Sequence, residues 1–340
     1  MTVLYRKYRP QKFKEIVGQD HIIKPLLDSI ESKRIAHAYL FSGSRGTGKT
    51  STARILAQAL KTAQDDIYEI DAASNRGIDD IRHLREHVSV LPFTSTFKVY
   101  IIDEVHMLSK DAWNALLKTL EEPPAHVIFI LATTEIEKVP DTIISRCQTF
   151  VFHRPSREVL RKEIMRISKE EGYELDHGAG ELVALLGDGS FRDALGILEK
   201  VLSSTSNSKK KISREEVENM TGAPRAELVN NFISNYISKN VDETLKVIGK
   251  AEKASISMNT FLTLVLEKMR FVLLLQHSPS SKGEISERTS PDDMLFIEEL
   301  SKKKLLTPEM LALILGASAE VARAHIETLP VEMAVVRNCA

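Results

Sequence analysis

Residues 43–50, GSRGTGKT, constrain the fold of this chain more than any other stretch. They match the phosphate-binding pattern G-x-x-x-x-G-K-[ST] and lie between a strand-like and a helix-like segment, which is the context this pattern requires. The glycines let successive backbone N–H groups face phosphate oxygens at the positive end of the next helix. Lys49 is suited to the β and γ phosphates of a nucleotide, and the Thr50 hydroxyl is suited to Mg²⁺. The predicted nucleotide-binding residues of the loop are Gly43, Ser44, Arg45, Gly46, Thr47, Gly48, Lys49, Thr50 and Ser51.

Five short apolar segments between residues 37 and 152 have the pattern of buried strands. They are AYLFSG, IYEIDA, KVYIID, VIFILATT and TFVFH, and helical segments separate them. Buried strands that alternate with helices predict an α/β fold, in which a parallel sheet is flanked by helices on both faces. The phosphate-binding loop directly follows the first of these strands.

Strand signals disappear after Pro155. Three short amphipathic helices are predicted between 157 and 202, followed by the polar loop SSTSNSKKK. A longer helical series begins near Arg225, with a loop predicted at 277–293. Because 340 residues are too many for one compact core, we predict three domains, at 1–155, 156–222 and 223–340.

The composition excludes several classes of protein. With 43% hydrophobic and 27% charged residues, the chain is typical of folded soluble proteins. A net charge of −1 gives no overall basic footprint, and we interpret the basic opening stretch MTVLYRKYRPQKFK as a solvated face. Two cysteines are too few for a disulfide framework or a four-cysteine zinc site. The apolar runs are too short to span a membrane, so we expect a cytoplasmic protein with no membrane contact.

Polar residues that end two of the predicted strands are candidates for catalysis. Asp103 follows a buried strand, at the sheet edge where an acid can hold Mg²⁺, and Glu104 is placed to polarise a water that attacks the γ-phosphate. We interpret His106 as a packing or surface residue. A hydroxyl after VIFILA, on Thr134 by preference or on Thr133, is predicted to hydrogen-bond the attacking water or the γ-phosphate.

Two arginines have no obvious role within their own segments. In GSFRDAL, Ser190 is a predicted N-cap with Asp193 at the third helical position, which leaves Arg192 free to reach a phosphate. In DTIISRCQTF, Arg146 has no acid beside it with which to pair. The segment itself does not show what Arg146 contacts.

Six motifs follow one another along the chain. They are YRKYRPQKFKEIVGQDHI, GSRGTGKTS, EIDAASNRGIDDIR, YIIDEVHMLSKDAWNALLKTLEEPP, ATTEIEKVPDTIISRC and GSFRDAL. In this order they resemble the gamma/tau subunits of bacterial DNA polymerase III, the AAA+ motors of the clamp loader. The resemblance covers about residues 4–200, and the helical remainder, ending in LPVEMAVVR, is similar to the family's collar domain. The resemblance implies an AAA+ P-loop domain, a small helical lid (sensor-2) domain and an all-α collar that oligomerises.

The resemblance also implies roles for individual residues. Arg146, in the serine-arginine-cysteine motif, would be an arginine finger that reaches the nucleotide of the neighbouring subunit, and Arg192 would be the sensor of the lid domain. Arg76 and Arg82 would contact primer-template DNA phosphates, with ordinary surface arginines as the alternative. The adenine and ribose side of the site would be lined by Tyr8, Arg9, Pro10 and Val17.

The function implied by the resemblance is ATP hydrolysis that loads a sliding clamp onto primer-template DNA. The cofactors would be ATP and Mg²⁺, and the partners would be delta, delta-prime and further copies of the chain. The chain would be a subunit of the DNA polymerase III holoenzyme, a nucleotidyltransferase, without a polymerase active site of its own. The family usually has a four-cysteine zinc module before the strand IYEIDA, where this chain has only LKTAQDD, so no zinc is expected.

Two other functions fit parts of the sequence. A non-hydrolysing delta-prime-like subunit would share the fold and Arg146, but the intact Lys49, Thr50, Asp103 and Glu104 favour a motor. Another AAA+ remodelling ATPase, either an unfoldase or a branch-migration motor, is the second alternative. An unfoldase would need an aromatic pore loop after the first acidic strand, and the sequence has none there.

Overall fold

The computed structural model of the chain describes residues 3–74, 84, 87–205 and 210–339. It divides into two compact units. The first contains Met1–Leu160 and Gly187–Gly196, and the second contains Arg161–Leu186 and Ile197–Ala340. The three-domain division, with boundaries near 155 and 223, stays a prediction.

The first unit contains a five-stranded parallel sheet with strand order β2-β3-β4-β1-β5. All five predicted strands are confirmed, with ends that differ by one residue at most. The strands are β1 Ala38–Gly43, β2 Ile67–Asp71, β3 Lys98–Asp103, β4 Val127–Thr133 and β5 Gln148–Phe152. Because all are parallel, the residues that follow β1, β3 and β4 meet at one edge of the sheet.

Helices cover both faces of this sheet, as predicted. Among the described residues, the first unit includes the helices α1 Leu4–Lys7, α2 Asp20–Glu31, α3 Lys49–Ala59, α4 Lys110–Glu121 and α5 Asp141–Ile144. On one face, Phe41 of β1 packs in a core with Leu26 of α2 and Leu56 of α3. On the other face, Phe129 of β4 packs in a core with Leu116 of α4. Alternate residues of each buried strand therefore enter different cores, which explains why the strands read as continuous apolar runs.

Helices form most of the second unit. In chain order, the remaining helices are α6 Arg157–Glu170, α7 His177–Leu186, α8 Phe191–Ser204, α9 Arg214–Thr221, α10 Ala226–Ile237, α11 Val241–Lys253, α12 Met258–His277, α13 Lys282–Arg288, α14 Pro291–Lys303, α15 Pro308–Val321 and α16 Leu329–Cys339. The first part of α8 belongs to the first unit. Of the helices that the structure describes, none is both long and apolar enough to cross a membrane.

Two predictions for this region are wrong. The loop predicted at 277–293 contains a 3-10 turn, the whole of α13 and the start of α14. Strands also do not end at Pro155, because β6 Glu174–Leu175 and β7 Lys211–Ile212 form a small parallel pair. Pairs of two residues are too short to show the alternation that identifies a strand in a sequence.

Candidate nucleotide site

The phosphate-binding loop joins β1 to α3 and is packed closely against neighbouring segments. Gly43 and Gly46 have backbone φ of +144° and +75°, and a Cβ at either position would overlap its surroundings. At Gly43 the overlap is with the backbone of Phe152, and at Gly46 it is with Ser190 Oγ. Only glycine fits both the positive φ and the close approach.

Lys49 begins α3, and its side chain lies inside the loop. Its residue is 6% exposed, and its Nζ donates to the carbonyls of Gly43 at 2.7 Å and Ser44 at 3.0 Å. Burial lowers the pKa of the Lys49 ammonium, and the nearby carboxylates of Glu104 and Asp103 oppose that shift. The loop therefore holds a cation close to the two acids that follow β3.

Thr50 and Asp103, the two predicted magnesium ligands, are in direct contact. Thr50 Oγ1 donates to Asp103 Oδ2 at 2.7 Å, and the other oxygen of Asp103 accepts from the backbone N–H of Glu104 at 3.0 Å. A hydroxyl and a carboxylate are hard oxygen donors of the kind that Mg²⁺ prefers. The chemistry of this pair would fit a bound Mg²⁺ ion.

Glu104 has an unusual backbone conformation. Its φ is +48°, in the left-handed region, which costs a residue with a side chain about 1–3 kcal/mol. Its Oε2 accepts a hydrogen bond from Thr134 Oγ1 at 3.0 Å. The hydroxyl of Thr133, the alternative candidate, instead contacts His106 Nδ1 at 3.0 Å. Six other residues with side chains share a positive φ among those that the structure describes, so a role for Glu104 is supported by its place after β3 and its contact with Thr134.

The start of α8 lies directly on the phosphate-binding loop. The N–H of Phe191 donates to the carbonyl of Gly46 at 3.1 Å, and Ser190 Oγ accepts from the N–H of Asp193 at 3.2 Å. The predicted N-cap at Ser190 is therefore confirmed. This arrangement places Arg192, on the first turn of α8, beside the loop.

Arg192 lines a cavity near the N-terminus. Its guanidinium carbon lies 5.0 Å from the ring centroid of Tyr5. The cavity has a volume of about 500 Å³ and is lined by Tyr5, Arg6, Arg9, Gln11, Arg54 and Arg192. Arg9 and Pro10 also line a second cavity of about 410 Å³. Tyr8 and Val17 are the other residues predicted to line the adenine and ribose side of the site. The Lys7 Nζ lies 5.4 Å from the ring centroid of Tyr8, and Val17 is 39% exposed.

Arg146 has a partner within its own chain, contrary to expectation. Its Nη2 lies 3.0 Å from Glu121 Oε1, at the end of α4, and its Nη1 donates to the carbonyl of Thr142 at 2.7 Å. The two side chains of the ion pair are 35% and 45% exposed. The expectation that Arg146 has no acid nearby is therefore wrong. The pair could not be seen in the sequence because Glu121 is 25 residues away from Arg146. Exposed ion pairs contribute only about 0–1 kcal/mol, so this contact is easily exchanged.

Two other predictions concern DNA and zinc. Arg76 and Arg82 lie outside the described residues. Among those that the structure describes, no group of three or more His, Cys, Asp and Glu side chains could hold a metal. The expected absence of zinc stays a prediction.

Sequence reasoning missed two residues that support the site. Gln19 is fully buried, and its amide donates to the carbonyl of His153 at 2.7 Å and accepts from the N–H of that residue at 3.3 Å. Arg154 Nε donates to Ser44 Oγ of the phosphate-binding loop at 3.0 Å. Gln19 lies in the motif VGQDHI and could have been singled out there, whereas an exposed arginine after a strand carries no signal.

The sheet order, the phosphate-binding loop and the acid pair after β3 together define a P-loop ATPase fold of the AAA+ type. The RuvB Holliday junction branch migration motor of Thermotoga maritima has the same fold, with 21% identity and a TM-score of 0.54 over 75% of this chain and 90% of that one. At that identity, the likeness shows the fold alone.

Comparisons of sequence identify the family. The model described as "DNA polymerase III, delta subunit" matches residues 18–76 and 61–156. The DNA polymerase III subunit tau of Bacillus subtilis is 37% identical over 99% of this chain, which spans 63% of that protein. The DNA polymerase III subunit gamma of Buchnera aphidicola is 35% identical over 88% of each chain. The chain belongs to the gamma/tau subunit family of DNA polymerase III, and the resemblance inferred from its motifs is confirmed.

Proposed function

We propose that the chain is an ATP-hydrolysing motor subunit of a bacterial clamp loader. In the proposed assembly it joins delta, delta-prime and further copies of itself, and it loads a sliding clamp onto primer-template DNA. The observation that carries the proposal is the contact between Thr50 and Asp103, beside Lys49 and Glu104. These groups supply the cation, the magnesium ligands and the water-activating carboxylate that phosphoryl transfer needs.

The proposed chemistry assigns one task to each group. The loop N–H groups and Lys49 bind the phosphates, and Thr50 and Asp103 would hold Mg²⁺, which would supply charge neutralisation at the phosphates. Glu104 orients a water for attack, with Thr134 fixing one oxygen of its carboxylate. Arg192 contacts the nucleotide from the start of α8, and Arg146 acts on the nucleotide of the adjoining subunit.

The decisive experiment measures ATP hydrolysis by the chain mixed with partner subunits, with and without clamp and primed DNA. Stimulation by both is expected for a clamp-loading motor. Tight nucleotide binding without turnover would instead favour the delta-prime-like alternative. Turnover that ignores both clamp and DNA would favour a different AAA+ remodelling ATPase.

Two variants separate binding from hydrolysis. Arg146→Ala is expected to bind ATP normally but to lose roughly 10³- to 10⁵-fold in stimulated turnover, because an arginine finger stabilises only the transition state. Lys49→Ala is expected to weaken nucleotide binding itself. Arg34→Ala, at an exposed position, is the matched control and should be unchanged. Normal turnover by Arg146→Ala would contradict the role in the adjoining site.

A further inference from the structure

The His106 side chain is buried and has polar neighbours at both ring nitrogens, which a surface or packing residue would not require. Its side chain is only 6% exposed, and both ring nitrogens have polar neighbours. Nε2 lies 3.1 Å from Glu135 Oε1. Nδ1 lies 3.0 Å from Thr133 Oγ1 and 3.5 Å from Glu104 Oε2. The imidazole therefore sits between the candidate water-activating acid and a second carboxylate.

The contact with Glu135 fixes the orientation of the ring. A carboxylate oxygen only accepts hydrogen bonds, so Nε2 must carry the proton in this contact. With Nε2 directed at Glu135, Nδ1 faces Thr133 and Glu104. Glu135 is itself held in place, because Lys138 Nζ lies 2.6 Å from its Oε2 and its backbone N–H donates to Thr133 Oγ1 at 3.0 Å.

This network joins the ends of two neighbouring strands. Glu104 and His106 follow β3, whereas Thr133 ends β4 and Glu135 comes shortly after it. Glu104 has the left-handed backbone described above, so it does not continue the extended conformation of β3. The direction of its side chain is therefore not set by the alternation of that strand. Its Oε2 has two neighbours from the network, the Thr134 hydroxyl and the His106 ring. The Thr134 hydroxyl donates a hydrogen bond to the carboxylate. The His106 ring, with its proton on Nε2, has no proton on Nδ1 to donate, so it limits the position of the carboxylate by contact at 3.5 Å.

We propose that His106 and Glu135 form a positioning pair that holds the Glu104 carboxylate in the geometry needed to activate water. The inference rests on the proposed function, since it assigns the pair to ATP hydrolysis. His106 acts through Glu104 and does not touch the nucleotide. A displacement of about 1 Å in a reacting group can cost about 100-fold in rate, so loss of the pair should be visible in turnover.

The test compares kcat, KM and the dissociation constant of a fluorescent ATP analogue in the clamp-loader assembly. His106→Ala is expected to lower kcat at least tenfold while KM and the dissociation constant change less than twofold, because only the transition state is affected. His106→Asn can still reach Thr133 and Glu104 from the Nδ1 position, so it should recover part of the loss. Glu135→Gln should lower kcat by a smaller factor.

A double variant tests whether the two residues act together. His106→Ala combined with Glu135→Gln should be no slower than His106→Ala alone, because both changes remove the same arrangement. His126→Ala, near the opposite end of β4, is the matched control and should keep its kcat. If His106→Ala does not fold, as judged by its urea midpoint, His106→Asn and Glu135→Gln carry the test.

The outcomes distinguish this inference from the proposed function. If the wild-type assembly hydrolyses ATP and the His106 and Glu135 variants keep kcat within twofold, the positioning role is refuted and the proposed function stands. Additive losses in the double variant would likewise refute the pairing. If the wild-type assembly binds nucleotide without turnover, the proposed function fails, and this inference fails with it.

Discussion

The Arg146 guanidinium has three partners in its own chain, the Glu121 carboxylate, the Thr142 carbonyl and, at 3.4 Å, the Ser145 hydroxyl. If Arg146 acts on a neighbouring nucleotide, it must exchange at least the ion pair for a phosphate. The exposed pair offers little resistance, since such pairs contribute about 0–1 kcal/mol. Glu121 therefore competes weakly with the proposed phosphate partner.

Replacement of Glu121 tests this competition. Glu121→Gln is expected to raise stimulated ATP turnover by up to about fivefold when the other subunits are subsaturating, since 1 kcal/mol corresponds to about that factor. The measurement is turnover against partner concentration. Glu122→Gln, at the next exposed residue, is the control. A loss of turnover as large as that expected for Arg146→Ala would show that Glu121 belongs to the productive site.

At the scale of the elements, the carboxylate of Asp66 joins the short link between α3 and β2 to the loop before β3. Asp66 is fully buried and accepts from the backbone N–H groups of Phe93, Thr94 and Ser95 at 2.7, 3.1 and 3.0 Å. Burial opposes ionisation of Asp66, but the hydrogen bonds from these N–H groups and from the Ser95 hydroxyl lower its pKa to about 2. The link and the loop before β3 thus stabilise each other where the family usually has its zinc module.

Ionisation of Asp66 should make the free energy of unfolding depend on pH. Its pKa is depressed in the folded chain, so its contribution is present above the ordinary value of 3.8 and is lost as the pH falls towards 2. Asp66→Asn is expected to lower the urea midpoint at pH 7, and this deficit should narrow below pH 3.8 and become small only near pH 2. It should also speed amide exchange at residues 93–95.

The matched control for this prediction is Asp65→Asn, at the exposed neighbouring residue. It should leave the urea midpoint and the amide exchange of the loop unchanged. A deficit in Asp66→Asn that is the same at pH 7 and pH 3 would contradict the role given to ionised Asp66.

The central strands β1, β3 and β4 were predictable because they are buried on both faces and read as continuous apolar runs. The edge strands β2 and β5 are partly exposed and keep shorter apolar segments. Helix α9 was missed, although Ser213 and Glu216 form a complete capping box and Gly222 ends the helix in the left-handed conformation. That signal was present in the sequence and could have been used. The pairing of Arg146 with Glu121, and of His106 with Glu135, could not be predicted because each joins residues from different elements.

At the scale of the whole molecule, the second unit contains a buried cluster of charges. Asp293 on α14 lies 2.5 Å from Lys268 Nζ of α12 and 2.5 Å from Arg214 Nη1 of α9. Arg214 also pairs with Glu218 at 3.0 Å, and Lys268 donates to Asn230 of α10 at 2.7 Å. Burial lowers the pKa of Lys268, and Asp293 opposes that shift. The cluster joins four helices through charges that compensate one another.

Removal of one charge from this cluster should lower the free energy of unfolding. Lys268→Met is expected to lower the free energy of unfolding by about 3–5 kcal/mol, because it leaves the buried Asp293 undercompensated. The double variant Lys268→Met with Asp293→Leu should lose less than the sum of the single changes. Urea denaturation of the full chain measures both quantities.

Lys303→Met is the control for this prediction, since it breaks an exposed pair with Glu299 at 2.7 Å. Its cost should stay below about 1 kcal/mol. A cost that small for Lys268→Met would show that the buried cluster does not stabilise the second unit.

The same cluster limits how this part of the chain can change over evolutionary time. A lineage that exchanges Lys268 or Asp293 alone passes through a weakened intermediate, whereas a matched exchange of both to apolar residues avoids it. Positions 214, 218, 268 and 293 should therefore drift together or stay fixed, even though they are far apart in the sequence.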